Sequence, residues 1–236
     1  QGCTTFEFDE QITDPFQLTP HSSNVIGGGC FNQIRNRSSS EPTYHSVIGG
    51  GYLNKVCSYQ SYIGGGLCNI INIGARHSTI GGGCCNTICV NEQSSTIAGG
   101  KLNKIDSTYS YIGGGYQNCA LGNYSSIGGG FSHYTYGGCN TIAGGYNNTA
   151  CGPKGTIGGG CNNFIHLRQS NSVIGGGTSN CITLHSGYSA ISYNDGNYIN
   201  SGRCNLICTC TNSSNYNTLG GGQNNHLLAC VANSTI

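Results

Sequence analysis

Charge is scarce in this sequence. Lys and Arg number nine and Asp and Glu eight, together 7% of 236 residues, for a net charge of +1. The bases, from Arg35 to Arg203, are scattered, whereas a nucleic-acid surface clusters Lys and Arg among aromatic platforms. No nucleic-acid partner is expected. Of the acids, Glu7, Asp9, Glu10 and Asp14 crowd the N-terminal segment, and Glu41, Glu92, Asp106 and Asp195 fall on different stretches far apart. That leaves no carboxylate pair for acid–base work, and no enzyme is expected. Long apolar runs are missing too: none approaches a membrane span and none reads as a signal peptide. Methionine is absent even at residue 1, which predicts a processed or excised N-terminus. Finally, 41 glycines spread along the chain leave no helical window, and they do not recur at every third residue as collagen requires.

What the chain has instead is a repeat. Thr141-Ile142-Ala143-Gly144-Gly145-Tyr146-Asn147-Asn148-Thr149-Ala150 returns at once as Thr156-Ile157-Gly158-Gly159-Gly160-Cys161-Asn162-Asn163-Phe164-Ile165. In general form the unit is Ser-x-Ile-Gly-Gly-Gly-x-x-Asn-x-Ile. With the first Ile as position 0, the anchors are Ile26, Ile48, Ile63, Ile80, Ile97, Ile112, Ile127, Ile142, Ile157, Ile174, Ile191 and Leu219, and another begins at Ile236. Most steps are 15 or 17 residues, the mark of a solenoid. Position +8 is mostly apolar, from Ile34 and Val56 to Ile182, Ile199 and Leu227, and position −2 is usually Ser. Position +6 is Asn in every copy but one, where His133 replaces it.

A single coil with two apolar anchors cannot bury them. Stacked coils can, because like residues then fall above like residues about 4.8 Å apart. The expected fold class is therefore all-β: a parallel β-solenoid of about 13 coils of 15–17 residues, roughly 60 Å long. Residues 21–236 form the repeat domain, and residues 1–20, with Phe6, Phe8 and Phe16, a cap or linker. The core ladder is Ile26, Ile48, Ile63, Ile80, Ile97, Ile112, Ile127, Ile142, Ile157 and Ile174. Beside it, Asn54, Asn69, Asn86, Asn103, Asn118, Asn148, Asn163 and Asn180 predict an amide ladder that serves neighbouring coils and the bend backbone. The Gly triplet predicts a tight corner or a seam between chains.

With Gly122-Asn123-Tyr124-Ser125 between copies, Ser-Thr-Ile-Gly-Gly-Gly-x-x-Asn-Thr-Ile resembles the head repeats of trimeric autotransporter adhesins, over about residues 22–236. Similar repeats occur in phage and large-virus fibre proteins. The resemblance implies a left-handed parallel β-roll, a homotrimer about a threefold axis, and surface attachment to a receptor or glycan. Sixteen cysteines and long apolar residues at +8 set this chain apart from the bacterial members, and the cysteine load points towards a large virus or virus-like particle.

Cysteines fall mostly on repeat positions. Cys68 with Cys85, one coil apart at +5, and Cys210 with Cys230 are candidate disulfides, with free thiols as the competing reading. Paired Cys-x-x-Cys units are missing, as is the Asp of calcium-binding rolls, so no metal or cofactor is expected. Tyr116, Phe131 and Tyr146 occupy +4 in three successive coils, as candidates for packing between protomers or for stacking on sugars. The sequence thus reads as a structural fibre or adhesin-like protein of a virion or cell surface, extracellular, without enzymatic activity. The alternative is a monomeric ice-binding or glycan-binding solenoid. Ice binding needs a regular Thr row, and position −1 reads Val25, Val47, Tyr62, Thr79, Thr96, Tyr111, Ser126 and Thr141.

Overall fold

The computed structural model describes residues 23–35, 45–89, 91, 93–184, 194–195, 197–209, 216–229 and 235. Every regular element among them is a β-strand, most of only two residues, and every pairing is parallel. The chain divides into two compact units, one ending at Gly115 and one beginning at Tyr116.

In the first unit the position-0 strands pair in chain order: Val25–Ile26, Val47–Ile48, Tyr62–Ile63, Thr79–Ile80, Thr96–Ile97 and Tyr111–Ile112. A second sheet stacks Gln33–Ile34, Lys55–Val56, Ile70–Ile71, Thr87–Ile88 and Lys104–Ile105 in the same way. The second unit repeats the plan, from Ser126–Ile127 to Thr218–Leu219 in one sheet and from Cys119–Ala120 to His226–Ala229 in the other. Register sets like against like, as in Ile63↔Ile80 and Ile157↔Ile174. Between the two strands of each coil, position +4 adds a row of single bridges, such as Leu67↔Cys84 and Phe131↔Tyr146. The fold is a parallel β-solenoid.

Two-residue strands suffice because each needs only one inward side chain. Position −1 points out and position 0 points in, the ordinary alternation of a strand. Ile48, Ile63, Ile80, Ile97 and Ile112 are fully buried in the first unit, as are Ile127, Ile142, Ile157, Ile174, Ile199 and Leu219 in the second, and Ile26 is 9% exposed. The +8 row lies inside with them: Val56, Ile71, Ile88 and Ile105, then Ala120, Thr135, Ala150, Ile165, Ile182 and Ile207. The core is two side chains wide.

Three expectations need correction. Nine anchors follow one another at the regular step, Ile48 to Ile112 in the first unit and Ile127 to Ile174 in the second, and only Ile26, Ile199 and Leu219 join them across longer steps. That is fewer than 13 coils. The phase near the C-terminus also differs, because Ile174 pairs with Ile199 and Ile199 with Leu219. Ile199 is therefore an anchor, with Ile207 at its +8, and Ile191 lies outside the described residues. The reason is that Asn205 and Gly202 keep the Asn–Gly spacing with Ile199, so that this phase preserves the Asn-ladder bonds, from Asn205 N–H to Asn180 Oδ1 and from Asn205 Nδ2 to the Ser201 and Gly222 carbonyls. Lastly, glycine marks only one of the corners: the +3 glycines, such as Gly66, Gly100 and Gly130, have left-handed φ of 95°, 87° and 98°, but two other corners carry no glycine. Left-handed backbone falls on non-glycine residues at +5 (Leu53, Cys68, Cys85, Leu102, Ser132) and at −3 (Gln60, His77, Tyr109, Tyr124). Each costs on the order of 1 kcal/mol, which the stacked hydrogen bonds offset.

The cap or linker assigned to residues 1–20, and the Cys210–Cys230 pair, lie outside the described residues.

Candidate functional site

Two polar ladders line the inside of the corners. Asn163 is representative: its side-chain Nδ2 donates to Gly159 O in its own coil and to Gly177 O in the next, both at 2.9 Å. Its backbone N–H donates to Asn148 Oδ1 at 2.9 Å. Asn54, Asn69, Asn86, Asn103, Asn148 and Asn180 make the same two carbonyl contacts. Asn118 reaches Gly130 O at 3.0 Å and accepts from His133 N–H at 3.0 Å. An amide of this length offers donors and an acceptor together, so Asp or Leu here would leave the part-buried +2 carbonyl without its donor. A second ladder runs at −2, where Ser46 Oγ accepts from Ser61 N–H at 3.2 Å and Ser95 Oγ from Ser110 N–H at 3.2 Å. The recurrence of Ser at −2 was visible in the sequence, but its role was not.

His133 is the exception in the Asn row. Its Nδ1 accepts from Asn148 N–H at 3.0 Å, which leaves the proton of the neutral ring on Nε2. That nitrogen is buried, faces the Gly145 carbonyl and makes no well-formed hydrogen bond. Burial lowers the imidazole pKa, against a smaller opposing effect of the neighbouring backbone.

The Gly triplet splits into unlike positions. At +3, Gly100 has φ +87°, and a Cβ there would collide with the Gly115 carbonyl of the next coil. Glycine is required by stacking within one chain. At +2 the chain faces outward. A Cβ on Gly99 or Gly176 would meet nothing within 4 Å, and on Gly82 or Gly144 its nearest contact would be 3.9 or 3.8 Å. Backbone φ at these four positions lies outside the region reserved for glycine, whereas at Gly28, Gly50, Gly65, Gly114, Gly129, Gly159 and Gly221 it lies between 137° and 159°, so that the backbone itself favours glycine in those coils. Only at Gly82, Gly99, Gly144 and Gly176 does nothing in a single chain forbid a side chain.

Tyr116, Phe131 and Tyr146 do form a stack. Ring centroids are 5.2 Å apart for the first pair and 5.0 Å for the second, with interplanar angles of 20° and 6°. Phe131 therefore has a ring against each face and presents its edge outward, at 37% exposure. Stacking on a sugar needs a free face, so this row does not offer Phe131 as a platform. At −1 the Thr run is broken, since Tyr62 precedes Thr79 and Tyr111 follows Thr96 in the sheet.

Cys68 and Cys85 take the same left-handed corner on successive coils, and both are free thiols. Cys84 and Cys85 sulfurs lie 3.1 Å apart. Cys57, Cys89, Cys151 and Cys181 have pKa values raised by burial, to about 11 for Cys89 and Cys181. Among the described residues no group of three His, Cys, Asp or Glu could hold a metal ion, and no helix is long and apolar enough to cross a membrane. Comparison with known protein families matches no family model, and comparison with characterised proteins gives no significant relative.

Proposed function

We propose that this chain is a structural fibre or adhesin-like surface protein that works as a rigid homotrimer, its coils running parallel to those of its neighbours. The observation that carries the reading is the outward ribbon at +2, at the four coils where neither the backbone φ nor a neighbour in the chain requires glycine. Glycine is costly to order and lends nothing to packing within the chain at Gly82, Gly99, Gly144 and Gly176. A second backbone passing closely over the ribbon makes the missing side chain useful. The narrow core agrees, since two apolar rows per coil bury little against the entropy of ordering 15–17 residues. Scarce charge agrees as well, because coils related by rotation set like rows against like. Three rather than two copies follows the resemblance of the repeat to trimeric adhesin heads.

In this reading the protein performs no chemistry. It holds repeated surfaces at a distance from a virion or cell, outside the cytoplasm, and multivalent display supplies avidity for a receptor or glycan.

Light scattering and sedimentation at two protein concentrations test it. The chain is expected at three times its 24.5 kDa mass. The quadruple variant G82Q/G99Q/G144Q/G176Q should fold, as judged by circular dichroism, but remain a monomer. A stable wild-type monomer, or a variant that still forms trimers, overturns the reading.

A further inference from the structure

Three thiols meet at one corner of the first unit. Cys84 bridges to Leu67 of the preceding coil, and Cys85 N–H donates to Leu67 O at 2.8 Å. This contact sets Cys85 over Cys68, which has the same left-handed backbone (φ 58° and 54°). Cys84 Sγ is 3.1 Å from Cys85 Sγ. The Cys85 thiol is pushed up to about 11, first by its hydrogen bond with Cys84, then by burial, then by the charges of Cys84 and Cys68 and a contact with Cys68. All three are partly exposed, so small reagents can reach them. The 3.1 Å contact is closer than the roughly 3.8 Å that two thiolates keep on a tetrahedral zinc ion.

We propose that Cys68, Cys84 and Cys85 form a thiol–disulfide exchange site, which closes a reversible Cys68–Cys85 staple between successive coils and reopens it through Cys84. The geometry selects the pairing. Neighbouring coils hold equivalent Cα atoms about 4.8 Å apart, inside the roughly 4.4–6.8 Å span of ordinary disulfides. Adjacent residues such as Cys84 and Cys85 are held at about 3.8 Å, below that span, so a bond between them is strained and easily reduced.

The oxidant is a small-molecule disulfide, R–S–S–R. The Cys68 thiolate attacks one sulfur, forming Cys68–S–S–R and releasing RS⁻. Cys85 loses its proton to solvent and attacks Cys68 Sγ, forming the Cys68–Cys85 bond and releasing the second RS⁻. In sum, two protein S–H bonds and one external S–S bond become one protein S–S bond and two R–SH. Reopening begins when the Cys84 thiolate attacks Cys85 Sγ and Cys68 leaves as a thiol. An external thiol R–SH then attacks the strained Cys84–Cys85 bond, leaving one cysteine as a thiol and the other as a mixed disulfide with R, and a second R–SH frees that cysteine as a thiol and forms R–S–S–R.

The test uses the full chain, reduced and then incubated with oxidised glutathione, blocked by alkylation and cut with trypsin. Segment 56–76 carries Cys57 and Cys68, and segment 77–101 carries Cys84, Cys85 and Cys89. These two segments are expected to be joined in the wild type and in C57S/C89S, with fragmentation placing the bond at Cys68 and Cys85, and to be separate in C68S. In C84S the link should still form, while its reduction by glutathione slows several-fold. Separate segments carrying only glutathione adducts, or a link that persists in C68S, overturn the staple. An unchanged reduction rate in C84S overturns the reopening step.

Discussion

Asn163 and Asn148 are joined twice through one oxygen. Asn148 Oδ1 accepts from the backbone N–H of Asn163 at 2.9 Å and from its Nδ2 at 3.1 Å. Each coil is thus tied to the next through a side chain that also closes its own corner, by Asn148 Nδ2 on Gly144 O at 3.0 Å. Removing one amide therefore damages two coils.

Asn148→Ala should strand the Gly144 carbonyl and the Asn163 N–H, and leave the Gly160 carbonyl with only its bond from Tyr146 N–H. The expected loss is about 3 kcal/mol, read from denaturant unfolding. A loss within error would mean that water replaces the amide and that the ladder adds little.

Ile127→Ala removes a fully buried branched side chain from a core only two residues wide. The loss should be about 2–5 kcal/mol. Tyr136→Ala, at 60% exposure on the same coil, is the control and should change stability by less than about 0.5 kcal/mol.

His133 makes stability depend on pH. Its folded pKa lies below the ordinary 6.5, because burial penalises the charged ring. The unfolded chain then binds more protons than the folded one below about 6.5, so stability is full above that value and falls as pH drops through it. Protonation also removes the Nδ1 acceptor from Asn148 N–H. In H133N, which restores the row, thermal midpoints between pH 5 and 7 should vary less than in the wild type; an equally steep profile would assign the dependence to another group.

Gly99 and Gly100 should respond in opposite ways although they are neighbours. Gly100→Ala meets both a left-handed φ and the Gly115 carbonyl, and should cost about 2 kcal/mol or more. Gly99→Ala meets nothing, and in an unassembled chain should leave stability unchanged or raise it by about 0.5 kcal/mol. Chemical denaturation at low protein concentration compares the two directly.

The period of the chain determined much by itself. A two-row apolar core needs its Ile at a fixed step, and the recurrence of Ile, Asn and Gly at fixed offsets has few solutions other than stacked coils. Ile63, Ile80, Asn69 and Asn86 could be placed from spacing alone because each repeats its own environment. Where the copies compete, spacing was silent. Ile191 and Ile199 both match position 0 at the pattern level, and only the pairing Ile174↔Ile199↔Leu219 decides between them. The corners at +5 and −3 were hidden for a related reason. Left-handed backbone usually advertises itself as glycine, but here the hydrogen-bonded stack holds Leu53, Cys85 and Tyr124 in it. Glycine takes the left-handed +3 position where coils approach, at Gly100, and recurs where the surface is bare, at Gly99. A composition cannot separate those two uses, because the difference is whether a neighbouring carbonyl stands in the path of a Cβ, and that is a property of the folded stack.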